Sequence, residues 1–103
     1  MSQNDFAPFI EEHRRLVILR VLTTDRKYRA NDSMLYGEVN RFGVTSSRDQ
    51  VRSSMHWLAE QGLVRIEDDL PGGVCVATLT TRGHDVASGL STVPGVKRPG
   101  PED

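Results

Sequence analysis

The chain has 103 residues, 37% of them apolar, which is enough for one small hydrophobic core and a single domain. Thirteen Lys and Arg against fourteen Asp and Glu leave a formal charge of −1, excluding a polycation that binds nucleic acid through bulk charge. A single cysteine, Cys75, excludes an internal disulfide and every multi-cysteine zinc site, and it suits a reducing compartment. No apolar run approaches the ~18 residues of a membrane helix, and the start MSQNDFAPFI lacks the basic and apolar stretches of a secretory signal. The expectation is a soluble cytoplasmic domain with no membrane partner.

Apolar residues from Phe6 to about Thr24 are too dense for one stripe at helical period, so a first helix with two apolar faces is predicted. Ile18, Leu19 and Leu22, with Arg15 one turn earlier, form the face toward the core, and Arg15 is expected to donate to loop carbonyls. Ile10, Val17 and Val21 lie on another side, covered either by a terminal helix or by a second copy across a dimer seam. Residues 25–30 (DRKYRA) read as a polar connector. Asn31 or Asp32 then caps a second helix that carries Met34, Leu35, Val39 and Phe42 and stops at Gly43. Ser46 with Asp49, or Ser47 with Gln50, has capping-box spacing and opens a third helix that runs to about Gln61, with Gly62 as its stop. Two helices separated by a short glycine-containing turn form a helix-turn-helix.

Leu63, Val64 and Ile66, the turn-rich DDLPGG at 68–73, and Val74, Val76, Ala77 and Leu79 predict a β-hairpin. Thr80 or Thr81 caps a last helix through about Ser88 that ends at Gly89. The fold class is therefore α+β, mostly helical with a small antiparallel hairpin, in the order helix-helix-helix-strand-strand-helix. The domain spans residues 1–89, and a Pro- and Gly-rich extended or disordered tail occupies 90–103.

That order is the order of a winged helix-turn-helix domain. Val51, Met55 and Leu58 followed by Gln61-Gly62-Leu63-Val64, and then Ala77-Thr78-Leu79-Thr80-Thr81-Arg82-Gly83, resemble the recognition helix, wing and closing helix of ArsR-like and MarR-like regulators. His13-Arg14-Arg15-Leu16 and Val93-Pro94-Gly95-Val96-Lys97-Arg98-Pro99 resemble, more narrowly, small ArsR-like winged-helix proteins of Mu-like prophages. The resemblance implies a transcriptional regulator of phage or prophage type that binds duplex DNA as a homodimer. The metal-sensing branch of the ArsR-like family uses paired cysteines in the recognition helix or carboxylate and histidine clusters in the last helix. Here Cys75 stands alone on a strand and His84-Asp85 alone near the last helix, so no metal and no cofactor are expected.

With Val51, Met55 and Leu58 turned to the core, Ser46, Ser47, Arg48, Gln50, Arg52, Ser53 and His56 form the candidate groove-reading surface. Arg reads guanine edges with two donors, Gln reads adenine, Ser adapts to either, and the free N–H groups of the helix start suit a phosphate. The alternative is that Arg48 and Arg52 are solvated charges and Gln50 part of the cap. Arg26, Lys27 and Arg29 are candidate phosphate contacts within a segment, residues 11–29, that holds six Lys and Arg against three Asp and Glu. Ile10, Val17 and Val21 are the candidate dimer interface.

The wing opposes this reading: residues 60–69 hold one Arg against four Asp and Glu, and Glu67, Asp68 and Asp69 lead into the hairpin tip. An acidic wing repels phosphates, so the alternative is a non-catalytic adaptor that contacts a phage or host protein through wing and tail. Trp57 is expected to pack in the core or at a subunit contact, and Cys75 to be a core filler or an ordinary exposed thiol. No nucleophile elbow, phosphate loop or calcium loop occurs, so no catalytic residues and no enzyme activity are expected.

Overall fold

A computed structural model describes residues 6–100; the first five residues of the expected domain and the last three of the expected tail lie outside the described residues. The elements are α1 (Phe6–Thr23), β1 (Arg29–Asn31), α2 (Asp32–Arg41), α3 (Arg48–Glu60), β2 (Val64–Glu67), β3 (Val76–Leu79) and α4 (Thr81–Ala87). This is an α+β chain in a winged-helix arrangement, with α2 and α3 as the helix-turn-helix and β2–β3 as the wing. The core lies where α1, α2 and α3 meet the sheet; Ile18, Leu19, Leu22, Leu35, Val39, Val51, Met55, Leu58 and Leu63 are fully enclosed there.

Local chemistry sets the helix boundaries. The Asn31 side chain accepts from Met34 N (2.8 Å) and so caps α2, which leaves Asp32 to turn inward. Of the two capping-box registers at α3, Ser47 with Gln50 forms: Ser47 Oγ accepts from Gln50 N (3.1 Å) and Gln50 Oε1 accepts from Ser47 N (2.9 Å). Thr80 caps α4 by accepting from Gly83 N at 3.0 Å. Gly43 and Gly62, at φ +88 and +74, reverse the chain after α2 and α3 at a conformation that side chains resist.

The sheet has three strands, order β1-β3-β2, all antiparallel, rather than the expected two. β1 falls inside and just past the predicted connector, with Ala30 opposite Ala77 and Asn31 opposite Val76. Its residues are mainly polar because it is an edge strand that buries Ala30 alone, so main-chain pairing rather than hydrophobic alternation defines it. Asp25 prepares this strand. Its carboxylate accepts from Lys27 N (2.8 Å) and Arg29 N (3.2 Å), which holds the Asp25 carboxyl below its ordinary pKa, and Tyr28 then turns the chain at φ +58.

Two further features differ from the sequence reading. Met34 and Phe42, counted with the apolar face of α2, stay exposed while Leu35 and Val39 fill the core. The segment after α4 is extended, but it packs onto the domain. Val93 and Val96 are buried, Lys97 N donates to Glu12 O (3.1 Å), and Arg15 Nη1 donates to Gly95 O (2.9 Å) as a structural donor. The Arg15 guanidinium lies 3.9 Å from the ring centre of Trp57, and Gly95 sits against the same ring. The packed body therefore continues past Gly89. Among the described residues, no helix is long and apolar enough to cross a membrane.

Candidate nucleic-acid interface

The N-terminal half of α3 is the open part of that helix. Ser47, Arg48, Asp49, Gln50 and Ser53 are exposed there, while Val51, Ser54, Met55 and Leu58 face inward. Arg48 is held in place without being buried: its Nη1 donates to Ser33 Oγ at 2.7 Å, and its guanidinium lies 5.1 Å from the ring centre of Tyr36. Both partners belong to α2, so the helix-turn-helix pair orients this arginine. Ser47 and Gln50 are accessible, but their side chains are engaged in the cap.

Ser46 does not belong to this surface. Using Ser47 as the cap points Ser46 inward, where its Oγ accepts from Arg14 Nε (2.7 Å) and donates to Val44 O (2.7 Å). Asn40 completes this buried knot, accepting from Ser46 N at 2.9 Å and donating to Ser46 O at 3.1 Å. Arg14, counted with the basic first segment, is only 1% exposed and pairs with Glu11 at 2.6 Å. Its charge is spent inside the domain and unavailable to a phosphate.

The wing meets α3 further along, at Arg52 and His56. Arg52 Nη2 donates to Gly73 O at the hairpin tip (3.1 Å), and its Nε lies 3.4 Å from the buried Asp32 carboxylate. One turn on, His56 Nδ1 donates to Arg52 O (2.8 Å) and Nε2 lies 3.0 Å from Asp68 Oδ2. The contact with Asp68, reinforced by the Arg52 carbonyl, raises the His56 pKa above its ordinary value, and the same contact lowers that of Asp68. Arg52 and His56 thus tie the acidic wing to α3 and share its negative charge. Glu67 is likewise engaged, 3.6 Å from Arg29 on β1.

Arg26 and Lys27 are exposed on the turn between α1 and β1 and Arg29 at the start of β1, apart from α3. Of the candidate dimer residues, Val17 is buried within the chain at 8% exposure and offers little to a seam; Ile10 and Val21 are half-buried against the core. Val17 and Val21 line a cleft of about 580 Å³ with Arg20, Arg41 and Phe42. At the start of α1, Phe6 and Phe9 are well exposed, Phe6 one helical turn before Ile10 and Phe9 next to it in the chain.

The sequence reading did not find two participants, Asp32 and Cys75. Asp32 was a candidate cap, yet it accepts from Cys75 N at 3.5 Å and faces Arg52. Cys75 is fully buried beside Asp68 and His56, and burial, with the neighbouring carboxylate, pushes its thiol pKa up to about 12. Only the pairing of β2 with β3 and the packing of α3 on β2 bring these positions together, so no local motif marks them.

No family model matches the chain, and no solved structure matches it. It is 50% identical over 92 residues, 89% of this chain and 93% of the relative, to "Uncharacterized protein gp26" of Escherichia phage Mu. It is 43% identical over 77 residues, 75% of this chain and 74% of the relative, to an "Uncharacterized protein" of Haemophilus influenzae.

Proposed function

The chain belongs to the family of phage Mu gp26, and on that footing we propose that it is an ArsR-like winged-helix regulator that binds duplex DNA in the cytoplasm as a homodimer. One observation carries the reading. The N-terminal half of α3 is left open except at Arg52, with Arg48 held ready by Ser33 and Tyr36, while the wing is drawn back against Arg52 and His56. Helix-turn-helix proteins read base edges with the N-terminal residues of the recognition helix, so the open half is the useful one.

Ser47, Arg48, Gln50 and Ser53 are the base-facing set in this reading, and Arg52 and His56 serve to hold the wing away. Arg26 and Lys27 supply sequence-independent phosphate contacts. The seam of the dimer runs through Ile10 with the exposed Phe6 and Phe9, in place of the buried Val17. Two-fold symmetry then matches a palindromic site with half-sites about one helical turn apart.

A second reading, a protein adaptor, is favoured by the exposed acidic run Glu67, Asp68 and Asp69 beside α3. Fluorescence anisotropy of the whole chain with a labelled duplex, repeated across salt concentrations, separates the two. The DNA reading expects binding whose logarithm falls with log salt by roughly 0.9 per phosphate contacted. Failure to bind at low salt overturns it and leaves the adaptor.

A further inference from the structure

Three side chains remote in sequence converge where the wing meets α3. His56 comes from α3, Asp68 follows β2 directly, and Cys75 precedes β3 directly. Their donor atoms, an imidazole nitrogen, a carboxylate oxygen and the thiol sulfur, all lie within 4.8 Å of one another.

The hydrogen bonding of His56 leaves a requirement for positive charge. Its Nδ1 lies 2.8 Å from Arg52 O, a backbone carbonyl that can only accept, so Nδ1 carries a proton. In the neutral ring Nε2 is then a bare lone pair, yet it faces the Asp68 carboxylate at 3.0 Å, one acceptor against another. A cation must lie between them, either a second ring proton or a metal ion. A ring fixed by an Nδ1–H bond to a backbone carbonyl, with Nε2 presented outward, is how proteins hold metal-ligating histidines. The Cys75 thiol neighbours the same carboxylate, within the 4.8 Å that holds all three donor atoms.

We propose that His56 Nε2, the Asp68 carboxylate and Cys75 Sγ form a three-ligand site for a divalent transition metal, zinc by the mixture of nitrogen, oxygen and sulfur donors, and that the metal fastens the wing to α3. A fourth position is left for water or an outside donor. Tetrahedral zinc with bonds of ~2.0–2.3 Å separates its ligands by roughly 3.3–3.6 Å, so Nε2 and Oδ2 part by a few tenths of an ångström and Sγ closes in.

Binding releases two protons to solvent, one from the thiol and one from between His56 and Asp68. The thiolate and carboxylate then cancel the metal's two positive charges. Arg52 is the neighbouring cation that would oppose a metal, and Asp32, 3.4 Å from its Nε, offsets it. The site needs only this chain and is independent of whether the protein binds DNA.

The test is a titration of the reduced, metal-free, full-length protein with cobalt(II), followed by zinc. The expected result is one equivalent bound with a thiolate-to-cobalt charge-transfer band, displacement by zinc, and a rise in melting temperature with zinc that a chelator reverses. Cys75→Ser abolishes the band. Because Cys75 is buried, the surface variants His56→Gln and Asp68→Asn carry the test if that protein fails to fold. Each is expected to weaken binding by more than tenfold, at least the ~10–100-fold that even outer partners of a metal contribute. No charge-transfer band at stoichiometric cobalt, or an undiminished band in the double variant His56→Gln, Asp68→Asn, overturns the proposal.

Discussion

Replacing Gly95 by alanine probes the packing of the C-terminal segment on α1 and α3. Gly95 has φ +99, and an added Cβ would lie 2.6 Å from Trp57 Cζ2, 2.7 Å from Cη2 and 3.3 Å from Arg15 Nη1. A side chain at positive φ costs ~1–2 kcal/mol, and forcing a methyl into a packed contact costs ~1–3 kcal/mol more. The chain can escape this strain by undocking. It then loses the burial of Val93 and Val96, about 1.5 kcal/mol each, and the Arg15–Gly95 hydrogen bond, about 1 kcal/mol, while regaining some chain entropy. The cheaper route sets the cost, so Gly95→Ala is expected to destabilise by about 2–3 kcal/mol, on the order of 10–20 °C in melting temperature. Trp57 is the sole tryptophan, so its fluorescence reports the segment directly. Urea titration should show an earlier midpoint, and the native emission should shift toward that of an exposed indole. Unchanged native emission together with a stability change below ~0.5 kcal/mol would refute the docking argument.

Gly83→Ala is expected to be more damaging, by at least ~3 kcal/mol in thermal or urea unfolding, because the new Cβ enters the space of the Leu63 carbonyl oxygen, a backbone atom held in place, and also approaches Leu79 Cδ1 to 2.7 Å. Ser46→Ala leaves the buried Arg14 Nε without its acceptor and should cost ~1–3 kcal/mol in urea titration, while duplex-DNA affinity measured by anisotropy stays at the wild-type value. Arg48→Ala should do the reverse, weakening binding to a specific duplex by ~1–3 kcal/mol with little change in the unfolding midpoint.

Helices and caps were legible in sequence because their signals are local. Ser47 with Gln50, Thr80 before α4, and the glycines at 43 and 62 act within a few residues of where they stand. What escaped depends on distant partners. β1 exists because β3 pairs with it, and nothing in DRKYRA says so. Arg14 reads as a surface charge until Ser46, 32 positions on, supplies its acceptor. Pro- and Gly-rich composition in the last segment reads as a linker, yet Val93 and Val96, three apart, anchor it against the domain.

The candidate interface was legible as a helix face and illegible as a charge balance. From sequence, Arg48, Arg52 and His56 are equivalent members of one surface. In the fold, Arg48 leans on α2 while Arg52 and His56 are committed to Gly73, Asp32 and Asp68. That division follows from the wing folding back along α3. It also changes the meaning of the acidic run, because one carboxylate of the three is tied to α3 by His56 and another faces Arg29.

The claim that the open half of α3 reads DNA is tested most directly by selecting bound duplexes from a randomised pool with the whole wild-type chain and with Arg48→Ala, after fixing the oligomeric state by light scattering. The account predicts a dimer that enriches a palindromic sequence, and loss of that enrichment in Arg48→Ala. A monomer that enriches no sequence, or an identical motif recovered with Arg48→Ala, would contradict it.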